Sequence, residues 1–354
     1  MDEEVYRKLA EHLDRLPGGF APSTIGAELR VLKRLFAPEE AELAVHLTLE
    51  KEEAGVIAER AGLPRETVEP RLAEMAEKGL IFPAHAEGQP ARYQAAPFIV
   101  GIYEFQVNRL SPELLADLEE YWGTQQARKR PRTITQMRTI PVGQSIPVDM
   151  SVLPYERAED LVRTQRRFAV APCICRRSTK MTGGGCDAPE EACLVFGDWA
   201  DYYVRTGRGR AITESEVLDI LRHADRHGLV LQPNNAKEVM FICCCCTCCC
   251  GVLQAIQRFP RPARVVVNGF MAALDSGLCQ ECGVCVTRCR MGAITEQDGG
   301  ITLNEHRCIG CGLCVTTCPT GALSLTRKEG FEAVDTPETL DDTWRTISEA
   351  MAGR

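Results

Sequence analysis

No cysteine occurs in the first 172 residues of this 354-residue chain, and nineteen follow after that point. They arrive in four groups: Cys173, Cys175, Cys186 and Cys193; then Cys243, Cys244, Cys245, Cys246, Cys248, Cys249 and Cys250; then Cys279, Cys282, Cys285 and Cys289; then Cys308, Cys311, Cys314 and Cys318. A disulfide scaffold is usually a short secreted domain behind an apolar leader, whereas this sequence opens Met1-Asp2-Glu3-Glu4. Nor does any apolar run approach the roughly 18 residues that span a bilayer. The expectation is a cytoplasmic protein without membrane insertion, its thiols reduced. Clustered cysteines in such a compartment mean metal or redox chemistry rather than cross-links.

The last two groups each read C-x2-C-x2-C-x3-C. Three short steps in a row bring thiolates around a compact centre from several directions, and Gly283, Gly310 and Gly312 let backbone N-H groups approach closely. Zinc sites, the alternative, normally use two separated C-x2-C pairs. The pattern resembles the bacterial two-cluster ferredoxin domain. That resemblance implies two 4Fe-4S clusters, three cysteines of each motif holding one cluster and the fourth crossing to the other. One set would be Cys279, Cys282, Cys285 and Cys318, the other Cys308, Cys311, Cys314 and Cys289. The second motif continues Pro319-Thr320-Gly321-Ala322 as the family does, while Arg290 replaces the usual proline after Cys289. A cation there is expected to raise the potential of a neighbouring cluster, with Arg288 acting likewise.

The group Cys173, Cys175, Cys186 and Cys193 has the spacing C-x-C-x10-C-x6-C. Cys173 and Cys175, two apart on an extended segment, would face one side, and Gly183-Gly184-Gly185 frees the chain to bring Cys186 round. Cys193 is expected to open a helix running to Tyr203. One further iron-sulfur cluster fits these four, with Arg176 and Arg177 beside it; a zinc site or unligated thiols are the alternatives. In the run Cys243 to Cys250, neighbours on an extended chain point to opposite faces, so the seven thiols cannot all serve one centre. A subset is expected to hold a fourth centre, or to exchange ligands with the preceding group. Thiol redox chemistry and plain packing remain open. The run, following His227-Gly228-Leu229-Val230, resembles multi-cluster ferredoxin-like proteins of anaerobic bacteria.

In the front half, apolar Leu9, Leu13 and Leu16, then Leu29, Leu32, Leu35 and Phe36, predict two helices broken at Pro17-Gly18-Gly19. Pro38-Glu39-Glu40 starts another. Helices over Glu53 to Arg60 and on to Lys78 follow, then strands at Gly79-Leu80-Ile81-Phe82 and Arg92-Tyr93-Gln94. Val56-Ile57-Ala58-Glu59-Arg60-Ala61-Gly62-Leu63 and Ala76-Glu77-Lys78-Gly79-Leu80-Ile81 resemble the helix-turn phrase and wing entry of bacterial winged helix-turn-helix domains. Residues 1–100 carry 12 basic and 18 acidic side chains, a net of -6. The helix to Lys78 sets Arg65, Arg71 and Lys78 against Glu66, Glu69, Glu74 and Glu77. Phosphate contacts need cations, so nucleic acid is not the expected partner; a homodimer or docking module is.

The expected class is α+β and multidomain. A winged-helix-like domain occupies 1–123, a basic proline-containing linker 124–150, a cysteine-rich α/β iron-sulfur or metal domain 151–265, a two-cluster ferredoxin domain 266–328 and a helical tail 329–354. Arg128-Lys129-Arg130-Pro131-Arg132 in the linker, and Arg205, Arg208 and Arg210, read as solvated basic segments. His223 and His227, i and i+4 among charges, read as a solvated face; His306 could tune the neighbouring cluster. Neither a phosphate-binding G-x4-G-K-[ST] loop nor a dinucleotide fingerprint is present. The expected function is single-electron transfer between a donor and a redox partner enzyme. An iron-sulfur sensor that binds DNA and a reductase with its substrate at 243–250 are the alternatives. Whether the chain is an enzyme is left open, an oxidoreductase component being the nearest class.

Overall fold

The computed structural model describes residues 2–84, 88–125, 135–146, 156–328 and 336–352. Helix and strand are mixed, with small sheets, in an α+β chain. Two units emerge: Met1–Arg130 with Lys180–Gly183 and Asp341–Arg354, and Pro131–Thr179 with Gly184–Leu340. The basic tract at 128–132 lies outside the described residues.

The first unit begins with α1 (Asp2–Arg15), α2 (Ala27–Leu35) and α3 (Pro38–Ala44). Leu9, Leu13 and Leu16 are buried as the stripe requires; on α2 it is Val31, not Leu29, that joins Leu32 and Leu35 in the core. Residues 31, 32 and 35 share a helix face, and Leu29 is rotated to its flank. At α3 the Glu40 carboxylate accepts the Ala37 N-H at 2.8 Å, satisfying one of the free donors of the first turn. Next come β1 (Glu52–Glu53), α4 (Ala54–Ala61), α5 (Arg65–Lys78), β2 (Ile81–Ala84) and β3 (Arg92–Ala95). Gly62 and Gly79 end α4 and α5 in the left-handed conformation, φ 66° and 75°. The strands form an antiparallel sheet in the order β1-β3-β2. α6 (Pro112–Gln125) closes over Phe20, whose ring lies 4.3 Å from Phe98 and 4.7 Å from Tyr121.

The second unit contains α7 (Ala158–Arg163), β4 (Phe168–Pro172), α8 (Ile174–Met181), β5 (Glu191–Phe196), α9 (Gly197–Arg205), β6 (Arg210–Ala211), α10 (Glu214–Arg226), β7 (Val230–Pro233), β8 (Phe241–Cys245) and α11 (Gly251–Arg258). Its main sheet runs β6-β4-β5-β8-β7 with every pairing antiparallel, so the middle region is not a parallel α/β layer. Two local expectations change. Cys193 lies inside β5, because Ala192 to Phe196 is an apolar, β-favouring run held between β4 and β8, and the helix begins only at Gly197. Pro172 ends β4 and the Cys173 carbonyl accepts the Arg177 N-H at 2.9 Å, so Cys173 opens α8 and Cys175 sits in its first turn rather than on a strand.

Then follow β9 (Phe270–Leu274), α12 (Val284–Arg288), β10 (Ile294–Gln297), β11 (Gly300–Leu303) and β12 (Leu323–Arg327). The outer strands β9 and β12 pair, and β10 and β11 form a hairpin. Three arginines join this part to the sheet domain through helix ends. Arg288 donates to the Asp225 carbonyl at 2.6 Å and the Arg226 carbonyl at 3.0 Å; Arg290 donates to Gly228 at 2.7 Å and His227 at 3.0 Å. Both thus donate to carbonyls at and just beyond the end of α10, where the helix dipole favours a cation. Arg307 does the same for α11, reaching the carbonyl of Gln257 at 3.0 Å. These hydrogen bonds fix where the guanidinium charges of Arg288 and Arg290 are directed.

The tail helix α13 (Leu340–Ala352) supplies Trp344, 1% exposed, which stacks on Phe82 at 5.3 Å. From Asp341 onward this tail belongs to the first unit. On α1, burial holds the His12 imidazole down at about 4, with the nearby charges of Arg15 and His46 acting in the same sense. Between pH about 6.5 and about 4 the unfolded chain therefore binds a proton that the folded chain refuses. Stability, complete above that window, is expected to fall by up to about 3 kcal/mol as pH drops through it. Hydrogen exchange of the α1 amides should show the loss, and His12→Gln should flatten it.

Candidate metal centre

All nineteen cysteines are free thiols, and all lie in the second unit. In the C-terminal part, Cys285 is carried by α12 and Cys289 ends it. Cys308, Cys311 and Cys314 come from the loop before β12. These loops turn through glycines at positive φ: Gly310 at 65° and Gly312 at 74°. At Gly310 a Cβ would stand 2.3 Å from the Phe270 carbonyl oxygen, so no larger residue fits without moving β9. A small cavity, partly open to solvent, is lined by Cys289, Cys308, Cys311 and Cys314. Met291, Ile309 and Leu313 keep its walls apolar.

Backbone amides point at the sulfurs. The Ala272 N-H donates to Cys308 Sγ at 3.3 Å and the Ala293 N-H to Cys289 Sγ at 3.1 Å. Burial nonetheless pushes the Cys311 thiol up to about 12 and that of Cys314 up as well. Enclosed thiols of this kind become good ligands when a cation displaces their protons, and soft thiolates suit iron. Nearer the surface, Cys282 is exposed and Cys279 half-buried. At Cys318 burial acts upward, yet the amides of Leu323, Thr320 and Ala322 with the Thr320 hydroxyl bring the net shift down.

The two upstream cysteine groups do not remain separate. In β8, Cys243 is the register partner of both Cys193 and Gln232, and alternation puts Cys243 and Cys245 on one face with Cys244 on the other. The thiols of Cys173, Cys175, Cys250, Cys245, Cys243 and Cys193 lie, in that order, near enough to perturb one another's protonation. Cys173 opens α8 and Cys250 caps α11, so two helix N-termini face this six-thiol set. Hydrogen bonds from Cys193 and Cys245 hold the Cys243 thiol down, at about 5. Cys244, in contrast, is packed into the core, where burial pushes it up to about 12.

Cys186 joins a different set. Its sulfur lies 3.7 Å from Cys246 and 3.9 Å from Cys249; Cys249 is 3.9 Å from Cys248, and all four sulfurs fall within 4.8 Å of one another. Among the described residues no other group of three or more potential metal ligands converges so tightly. Arg176, fully buried, reaches across: its guanidinium donates to the Pro189 carbonyl, to the Cys244 carbonyl at 2.8 Å and to Cys246 Sγ at 3.8 Å. Arg177 instead pairs with Glu190 at 2.6 Å. The structure therefore separates Cys186 from Cys173, Cys175 and Cys193 in its nearest partners. Spacing alone could not show this, because it depends on how a turn after β8 folds back. His223, His227 and His306 are exposed.

Residues 301–324 match the family model of the 4Fe-4S binding domain, a segment that includes Cys308, Cys311, Cys314 and Cys318. No curated protein matches the chain. The matched segment and the cysteine-lined cavity define an iron-sulfur protein with at least one 4Fe-4S cluster. Substituting Gly310→Ala should drive a methyl group into β9 and lower iron and sulfide by about four each per chain, read by metal and sulfide analysis. Far-ultraviolet circular dichroism should show the helix content retained.

Proposed function

We propose that this chain is an electron-transfer protein with two ferredoxin-type clusters and a third upstream. The first is held by Cys279, Cys282, Cys285 and Cys318, the second by Cys308, Cys311, Cys314 and Cys289. The observation that carries this reading is the cavity wall: Cys289, the last cysteine of the first motif, shares it with the first three of the second. That is the ligand exchange expected of a two-cluster domain. The β9-β12 pair, which encloses both motifs, and the β10-β11 hairpin between them support the same fold. Bound in these sites, the clusters supply one-electron chemistry.

The residues of the chain then do three things. Met291, Ile309 and Leu313 exclude water from one site, while the amides of Ala272 and Ala293 donate to its sulfurs, which favours the more negative state. Cys279 and Cys282 bring the other site towards the surface, where a redox partner protein can approach. Upstream, the six thiols Cys173, Cys175, Cys193, Cys243, Cys245 and Cys250 offer more than the four ligands one cluster needs, under two helix N-termini and beside the Arg176 guanidinium.

For the first unit we propose a winged helix used for docking or dimerisation. The order α3, β1, α4, α5, β2, β3, with β1 on the edge of the hairpin, supports that fold. Its third helix supports docking over DNA binding: Arg65 pairs with Glu69 at 3.0 Å and Lys78 with Glu40 at 2.6 Å and Glu74 at 2.7 Å. Cations already neutralised by carboxylates contribute little to phosphate contacts. No described helix is long and apolar enough to cross a membrane.

Anaerobic purification with iron and acid-labile sulfide counted per chain tests the cluster reading. About twelve of each, with electron paramagnetic resonance signals from the dithionite-reduced protein, are expected for three clusters. About eight would remove the upstream one, and absence of any low-temperature signal on reduction would remove the electron-transfer role. A nanomolar, salt-dependent affinity for duplex DNA would overturn the docking role.

A further inference from the structure

Cys186, Cys246, Cys248 and Cys249 form a site of a different kind from the ferredoxin cysteines. In a tetrahedral thiolate site with metal-sulfur bonds of about 2.3 Å, the sulfurs stand about 3.8 Å apart. Here the nearest pairs stand at 3.7, 3.9 and 3.9 Å, with all four within 4.8 Å. A cubane interposes four irons and four sulfides between its thiolates, so four sulfurs that all converge on one another leave no room for that box. The six-thiol set lies close only pair by pair and does not converge in this way. The same chain supplies the comparison: Cys289, Cys308, Cys311 and Cys314 line a cavity instead of converging.

We infer that Cys186, Cys246, Cys248 and Cys249 bind a single tetrahedral divalent ion, Zn2+, as a redox-inert pin beside the iron-sulfur sites. Each ligand is positioned by a separate feature of the fold. Gly185, at φ 106°, turns the chain after α8 so that Cys186 can reach in. Cys246 leaves the end of β8, and the Cys250 N-H donates to its carbonyl at 3.0 Å, closing the turn that presents Cys248 and Cys249. Cys246 and Cys249 are buried, Cys186 is half-buried and Cys248 is exposed, giving the ion a path of entry from solvent. Four thiolates around a divalent ion leave a net charge of about -2. The buried Arg176 guanidinium at 3.8 Å from Cys246 Sγ partly offsets it. Among first-row divalent ions a thiolate tetrahedron selects zinc or iron, and zinc binds the more tightly.

A pin here would tie the loop after α8 to the β8-α11 turn. That turn also carries Cys245 and Cys250 of the six-thiol set, so the ion would hold the upstream cluster's ligands without exchanging electrons.

Zinc, iron and sulfide measured on the anaerobically purified full chain provide the test. About one zinc per chain is expected, with X-ray absorption showing four sulfur neighbours at about 2.3 Å. Cys186→Ser and Cys249→Ser should each lower zinc to about a tenth or less while the electron paramagnetic resonance signals of the reduced ferredoxin clusters persist. Cys314→Ser should do the reverse, lowering iron and leaving zinc. Should the serine variants fail to fold, chain produced with cobalt supplies the second measurement: visible bands of tetrahedral thiolate-bound Co2+ are expected from the unmodified protein. Zinc retained in Cys186→Ser, or about four extra irons with sulfide lost from that variant, would overturn the assignment. So would one iron without sulfide in place of zinc. Zinc present with no iron anywhere would leave this site standing and remove the cluster reading, so the two fail separately.

Discussion

A thiolate buried away from water is tolerable only next to a positive charge or a set of aligned donors. Nineteen cysteines crowded into the second unit make that requirement the constraint on which its architecture depends. The unit answers it in three ways. Backbone amides are aimed at Cys289 and Cys308, helix N-termini face the set containing Cys173 and Cys250, and Arg176 is buried whole among sulfurs and carbonyls. Metal supplies the remaining positive charge, and the matched 4Fe-4S segment identifies iron-sulfur chemistry as its source in the C-terminal part.

Three further arginines have a mechanical task. Arg288, Arg290 and Arg307 reach from the ferredoxin-like part to the carbonyl ends of α10 and α11. Arg288 also pairs with Asp225 at 2.9 Å, and Thr316 donates to the same carboxylate at 2.9 Å. These bonds hold the loops carrying Cys289 and Cys314 against the sheet domain. Rigid placement matters there because reorganisation on gaining or losing charge opposes electron transfer. The Arg290 that replaces a proline after Cys289 has its guanidinium bound to carbonyls of residues 227 and 228. The arginine at this position is therefore engaged by contacts within the chain.

Much of this was legible in the sequence because the signals were local. The helix starts at Pro38 and the stops at Gly62 and Gly79 follow from backbone preferences of single residues, and alternation in β8 separates Cys243 and Cys245 from Cys244. What escaped was set by long-range pairing. Cys193 reads as a helix start until β4 and β8 flank it, and Cys175 reads as a strand residue until Pro172 ends β4. The destination of Cys186 depends on a turn some 60 residues later in the chain, a separation no motif spacing encodes. Likewise nothing in the tail's composition connects Trp344 to Phe82, since aromatic packing carries no address in the sequence.

The same residue type thus performs different chemistry according to how far apart the fold holds it. Where loops built on Gly310 and Gly312 carry the cysteines, the sulfurs line a cavity with largely apolar walls instead of converging. Where a strand end and a tight turn press four sulfurs into contact, the remaining space suits one ion. Distance between sulfurs, rather than the number of cysteines, is what separates the two, and it is set by backbone features that contain no cysteine. Gly310 is confined by the Phe270 carbonyl, and the turn after β8 is closed by an ordinary amide-to-carbonyl bond. A cysteine-rich chain can therefore keep electron-carrying and purely structural metals apart while using one ligand type for both, provided its loops differ in how tightly they are allowed to close.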